Sequence, residues 1–245
     1  MTIDEAPFVY CDTETTGLGD DAQLLEIAAH AIQGERRFAT LVRPTIPIPA
    51  DASALHHIVD ADVADAPSRE EALYALQTWL LPDDVIVCHN VDFDQRFLPE
   101  IADRKWLCSL RLARHLLPDL TSHKNAALWY HFGGEKIEDR LHGAVADIAV
   151  TRFVFENLLR LYRNFAREHA LGDPARIAKA EQIDTLIAFS ARPYILKFMP
   201  FGKHRGVSMD AVPVSYFRWA LEGGMPDLDA DLRFNFERQL KRRAA

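Results

Sequence analysis

The stretch that most constrains this chain is Phe8-Val-Tyr-Cys-Asp-Thr-Glu-Thr-Thr-Gly-Leu18. Phe8 to Cys11 is short, apolar and partly aromatic, the character of a buried strand. Asp12 and Glu14 follow, with Thr13 between them. Side chains alternate along an extended chain, so both carboxylates should leave the same face. Placed together at the end of an apolar strand, they repel each other and resist desolvation. A divalent cation between them removes both costs, and oxygen-only ligands suit magnesium or manganese. A lone Asp-x-Glu is ordinarily a solvated strand end, so its meaning depends on what the rest of the chain brings to it.

A chain of 245 residues, 49% hydrophobic, can bury one sizeable core and add a small second module. No apolar run reaches the ~18 residues of a membrane span. The acidic start, Met-Thr-Ile-Asp-Glu, lacks a signal-peptide pattern. Cys11, Cys88 and Cys108 are odd in number, widely spaced and set in apolar runs. They read as small buried residues in a reducing compartment, not as a zinc site or disulfide framework. The expectation is a cytoplasmic protein. Its net charge of −8 is uneven: residues 151–245 carry 16 Lys/Arg against 11 Asp/Glu, net +5, leaving the first 150 at −13. An acidic half suits metals and a basic half suits a polyanion.

Three strands are expected first: Phe8–Cys11, a second with Leu25, Ile27, Ala29 and Ala31 on one face, and a third over Arg37–Val42. Short links between them imply an antiparallel meander. Pro44, Pro47 and Pro49 then impose a loop. Leu73, Leu76 and Leu80 have helical spacing, and Pro82 ends that helix. Val85–Cys88 is a compact strand. Phe93, Phe97 and Ile101 predict a helix after it. Trp106–Leu107 opens another strand, followed by a helix over Ser109–Leu117. A long helix runs from Ala144 to Tyr162. The pattern gives an α/β fold, a mixed sheet flanked by helices.

His89-Asn-Val-Asp-Phe-Asp94 lies where a strand hands over to a helix, a favoured place for ligand sites in α/β sheets. Asp94 is expected to point inward more than Asp92, because its neighbour Phe93 marks the apolar face. Asp147 falls three, seven and eleven residues before Val150, Val154 and Leu158, which places it on the buried stripe of the long helix. A buried carboxylate is costly unless paired or metal-bound. His142 cannot share that helix face, but a break at Gly143 would let it reach over the same cleft.

In order, Asp12-x-Glu14, His89-Asn90 with Asp94, and His142 with Asp147 resemble the DEDDh exonuclease superfamily. Four acids and one histidine match its pattern without departure, over roughly residues 7–162. The resemblance implies an RNase H-like fold with a five-stranded mixed sheet and removal of nucleotides from 3′ ends. It also implies two magnesium ions, replaceable by manganese, held by Asp12, Glu14, Asp94 and Asp147, with His142 as general base. Thr15 and Leu18 would receive the terminal nucleotide, and His89 and Phe93 the next.

Met199-Pro-Phe-Gly-Lys-His-Arg-Gly206 and Pro213-x-x-Tyr-Phe-x-Trp219 look like the terminal module of the exodeoxyribonuclease X branch. The implied division is an exonuclease domain at 1–165, a linker with a helix at 166–195, and a basic module at 196–245. Lys203 and Arg205 are its candidate DNA contacts. A small core of Tyr216, Phe217, Trp219 and Leu221 is the purely structural alternative for that module. DNA 3′ ends, single-stranded or duplex, are the expected substrate, with repair or replication proteins as partners and no membrane. An RNA exonuclease, a polymerase proofreading subunit and a non-catalytic nucleic-acid-binding scaffold stand as alternatives.

Overall fold

The computed structural model describes residues 6–136, 143–169, 180–225 and 228–244. Five strands, β1 (Phe8–Thr15), β2 (Leu24–Ala31), β3 (Arg36–Leu41), β4 (Val85–Cys88) and β5 (Lys105–Cys108), form one sheet in the order β3-β2-β1-β4-β5. The first three form an antiparallel meander, while β1–β4 and β4–β5 pair in parallel. β1 runs past the apolar residues and carries both acids within the strand.

Each face of the sheet has its own core. Phe8, Tyr10, Val85, Val87 and Leu107 pack beneath α7 (Ala144–Glu168) and α8 (Ala180–Ser190). Val9, Cys11, Ile27, Ile86 and Cys88 pack against α3 (Arg69–Trp79) and α4 (Val91–Phe97). All three cysteines are free and buried, as their apolar settings imply. Phe155 of α7 meets Phe8 and Tyr10 edge-on, with ring centroids 5.2 and 5.9 Å away. These contacts hold α7 over the even-numbered face of β1.

Several expectations need correction. α4 stops at Phe97, and Ile101 belongs to a separate 3-10 turn opened by Pro99, since proline cannot continue the hydrogen-bond ladder. The proline-rich stretch leads into two short helices, α1 (Ala50–His56) and α2 (Asp60–Val63). Both are too short for periodicity to reveal. α6 (Asn125–His131) follows α5 (Ser109–Leu116) and also lacked a sequence signal. α7 continues six residues beyond Tyr162. Ile183, Leu186 and Phe189 of α8 join its core.

The C-terminal residues build a third core from Met199, Met209, Val212, Phe217, Leu232 and Phe236, closed by α9 (Val214–Trp219) and α10 (Ala230–Ala244). Trp219 is 50% exposed instead of contributing to that core. Among the described residues no helix is long and apolar enough to cross a membrane.

Candidate active site

Strand alternation sends Asp12 and Glu14 to the same face as Phe8 and Tyr10. α7 packs on that face. Phe155 sits over the start of β1, and Asp147 lies two turns nearer the N-terminus of α7. One carboxylate oxygen from each of Asp12, Glu14 and Asp147 lies within 4.8 Å of the other two. Asp147 is half-buried, not buried as its stripe implies, because it occupies the first turn of α7, where the helix emerges over the cleft.

Asp94 comes from the opposite layer. Val91 and Phe97 anchor α4 in the second core, and Asp94 is 3% exposed. Thr13, between the two acids of β1, donates its hydroxyl to Asp94 Oδ1 at 2.8 Å. Asp94 stands outside the close trio, yet its charge bears on Asp12 more than that of any other group. Asp92 points away and pairs with Arg111, as expected.

Burial, and for Asp12 and Glu14 the neighbouring charges as well, raises the pKa of these acids. Burial, then the charges of Asp94, Asp147 and Glu14, push the Asp12 carboxyl well up. Burial and then the neighbouring acids push Glu14 up to about 7. Burial pushes Asp94 up to about 7 despite the Thr13 hydrogen bond, which lowers it. A crowded, desolvated, all-oxygen donor set fits a hard divalent cation, which supplies the missing positive charge.

His142 lies outside the described residues. Its neighbour Gly143 is the extended N-cap of α7. Thr15 is buried, with its hydroxyl on the Gly17 carbonyl at 2.7 Å. Leu18 is 52% exposed and Phe93 half-buried. The ring nitrogens of His89 meet Ser109 Oγ and the His123 carbonyl, both at 2.9 Å. Burial lowers its pKa to about 4, so at neutral pH it offers a neutral ring surface. Lys203 sits over the Tyr216 ring at 5.3 Å, whereas Arg205 is exposed at the edge of a cleft.

Three residues beyond those singled out by sequence support the site. Glu26 accepts the Ala144 backbone N–H at 3.0 Å and so ties β2 to the start of α7. A charge inside the apolar run Leu24-Leu-Glu-Ile-Ala-Ala29 was its only signal. Arg96 donates to the Leu18 carbonyl at 2.8 Å and lies over the Phe97 ring at 4.6 Å, which ties the turn after β1 to α4. Buried His56 lies against the Thr15 backbone.

The fold and the acid set define a class. Residues 9–155 match the exonuclease family RNase_T, and the chain belongs to that family and to the DEDDh-type nuclease superfamily. It is 29% identical over 244 residues to Exodeoxyribonuclease 10 of Escherichia coli K12, a match covering 94% of this chain and 97% of that one. The solved structure of Exonuclease X in complex with 5′ overhanging duplex DNA is 26% identical, with a TM-score of 0.56, covering 75% of this chain and 99% of that chain. The nuclease domain of 3′hExo bound to rAMP, 14% identical with a TM-score of 0.54 over 62% of this chain and 91% of that one, shares the RNase H-like fold.

Proposed function

We propose that this chain is a 3′–5′ exodeoxyribonuclease that releases nucleoside 5′-monophosphates and acts on DNA ends in repair in the cytoplasm. The observation that carries the reading is the convergence of Asp12, Glu14 and Asp147 within 4.8 Å, with Asp94 beside them. Likeness to Exodeoxyribonuclease 10 along nearly the whole chain supports DNA as substrate.

Asp12, Glu14, Asp94 and Asp147 would hold two magnesium ions. Divalent ions there supply charge neutralisation and alignment of the attacking and leaving oxygens. The chain's own residues do the rest. Thr13 fixes Asp94, and Glu26 fixes the turn of α7 that carries Asp147. The Thr15–Leu18 turn would receive the terminal nucleotide, with Leu18 against its base and Phe93 and the neutral ring of His89 beside the next. None of these groups reads a base edge, so little sequence preference follows. His142 would take the proton of the attacking water, and an imidazole near its ordinary pKa of ~6.5 is suited to that at neutral pH. We also assign residues 1–165 to catalysis, 166–195 to a linker whose helix α8 packs on the catalytic core, and 196–245 to a DNA-holding module.

A 5′-labelled DNA hairpin with a 3′ tail tests the reading. A descending ladder is expected with magnesium or manganese and none with EDTA. Early release of the labelled 5′ nucleotide, or full activity in EDTA, would overturn it.

A further inference from the structure

A cleft of about 760 Å³ separates the α5–α6 connection from the C-terminal module. Its wall borders two of the elements that carry the acids, α4 and α7. His89, the first residue after β4, lines it. On its wall Asn125 donates to Thr151 Oγ1 at 2.6 Å, and Thr151 lies one helical turn beyond Asp147 on α7. None of the four acids lines the cleft, but His89, two residues before α4, and Asn125, bonded to α7, join its wall to the elements that carry Asp94 and Asp147.

Its lining draws on both halves of the chain and carries Arg114, Lys124, Lys197 and Arg205 against Asp119 and Asp229. Lys124, Lys197 and Arg205 edge it. Among the described residues Lys124 and Arg205 have no ion-pair partner, and Lys197 has only a loose, exposed one, Asp119 at 3.8 Å. Phe198 is 56% exposed beside half-buried Phe201. Unpartnered cations interleaved with accessible aromatic faces match a single strand, whose phosphates seek the charges and whose unpaired bases can stack. A duplex hides its base faces and would leave Phe198 without a partner.

We propose that this cleft is the channel for the single-stranded DNA segment lying 5′ of the bond at the acids. The proposal rests on the exonuclease reading above and adds a site that no catalytic residue requires. It makes affinity depend on strand length: a short oligomer fills only the catalytic end, and a longer one enters the cleft.

Fluorescence anisotropy of 5′-fluorescein oligothymidylates of four and sixteen nucleotides tests it, with EDTA present to prevent cleavage. Hydrolysis of the p-nitrophenyl ester of thymidine 5′-monophosphate, with magnesium, reports the catalytic end alone. Phe198→Ala should weaken the long oligomer about tenfold, the scale of one lost base stack, and the short one less than twofold. Lys124→Glu should lower the salt slope for the long oligomer by about 0.7, the share of one phosphate contact on a single strand. Both variants should hydrolyse the ester like wild type. Unchanged affinity and slope for the long oligomer would overturn the channel, as would equal losses on both lengths. If the wild-type protein itself failed on the ester, the catalytic reading would fall and the anisotropy result would still decide the cleft.

Discussion

Thr13 and Glu26 show how single residues set this site. The acids of β1 were legible because strand alternation dictates that Asp12 and Glu14 share a face. Asp94 was legible from its place beside Phe93. Glu26 was not, because its role depends on cross-strand register: it pairs opposite Glu14 on β2 and from there reaches the α7 N-terminus. Glu26→Ala should cost about 1 kcal/mol, the value of a helix N-cap, and Glu26→Gln should restore most of it because the amide oxygen still accepts. Thermal unfolding of both variants checks this. His142→Ala should slow hydrolysis about 10²–10⁴-fold if it acts as general base, with metal binding retained in calorimetry. His89 gives a pH signature. Its folded pKa of about 4 lies below its ordinary value of 6.5. Keeping it neutral therefore contributes stability fully above pH ~6.5, and that contribution is lost as pH falls towards 4. In His89→Gln the decline in unfolding free energy between those pH values should be shallower than in wild type.

At the scale of elements, the long helix that carries Asp147 was readable in outline. The periodic stripe located the helix, and Gly143 marked its start. What periodicity could not show was the attachment of the C-terminal module. Arg114 of α5, with a side chain 10% exposed, bonds Asp229 at 2.8 Å and pairs with Asp231. Asp231 also meets Arg111, which in turn holds Asp92 on α4. The arginines lie more than a hundred residues from Asp229 and Asp231, and no local pattern links them. The network joins the module to the helix that carries Asp94. Asp231→Ala should destabilise the protein by about 1–3 kcal/mol, because it removes the buried carboxylate that Arg111 and Arg114 share and leaves each with a single acidic partner. Urea unfolding should show that loss, and a change below about 1 kcal/mol would mean the module rests on its apolar core alone. Cutting the chain after Ala191 would remove both carboxylate partners of Arg114 along with the module, so point substitutions in the cleft report on DNA binding more cleanly than truncation.

For the molecule as a whole, charge asymmetry was visible in the sequence, but its placement was not. The basic segment does not simply form a positive surface. Lys203 lies over Tyr216, while Arg205 and Lys197 border the cleft beside the catalytic half. The mixed sheet was legible because short links dictated a meander and alternating helices and strands dictated parallel pairing. The helices α1, α2 and α6 escaped because each has no more than seven residues, too few for a hydrophobic period to register. The central claim is that the converging carboxylates hold the cations that make hydrolysis proceed. Its most direct test is to follow manganese binding by electron paramagnetic resonance and hydrolysis of the thymidine ester in the same samples, for wild type and Asp12→Asn. The account predicts that wild type binds manganese and turns over, and that the variant loses tight binding and turnover together. A variant that hydrolyses the ester at the wild-type rate, or a wild type that turns over with no manganese or magnesium bound, would contradict it.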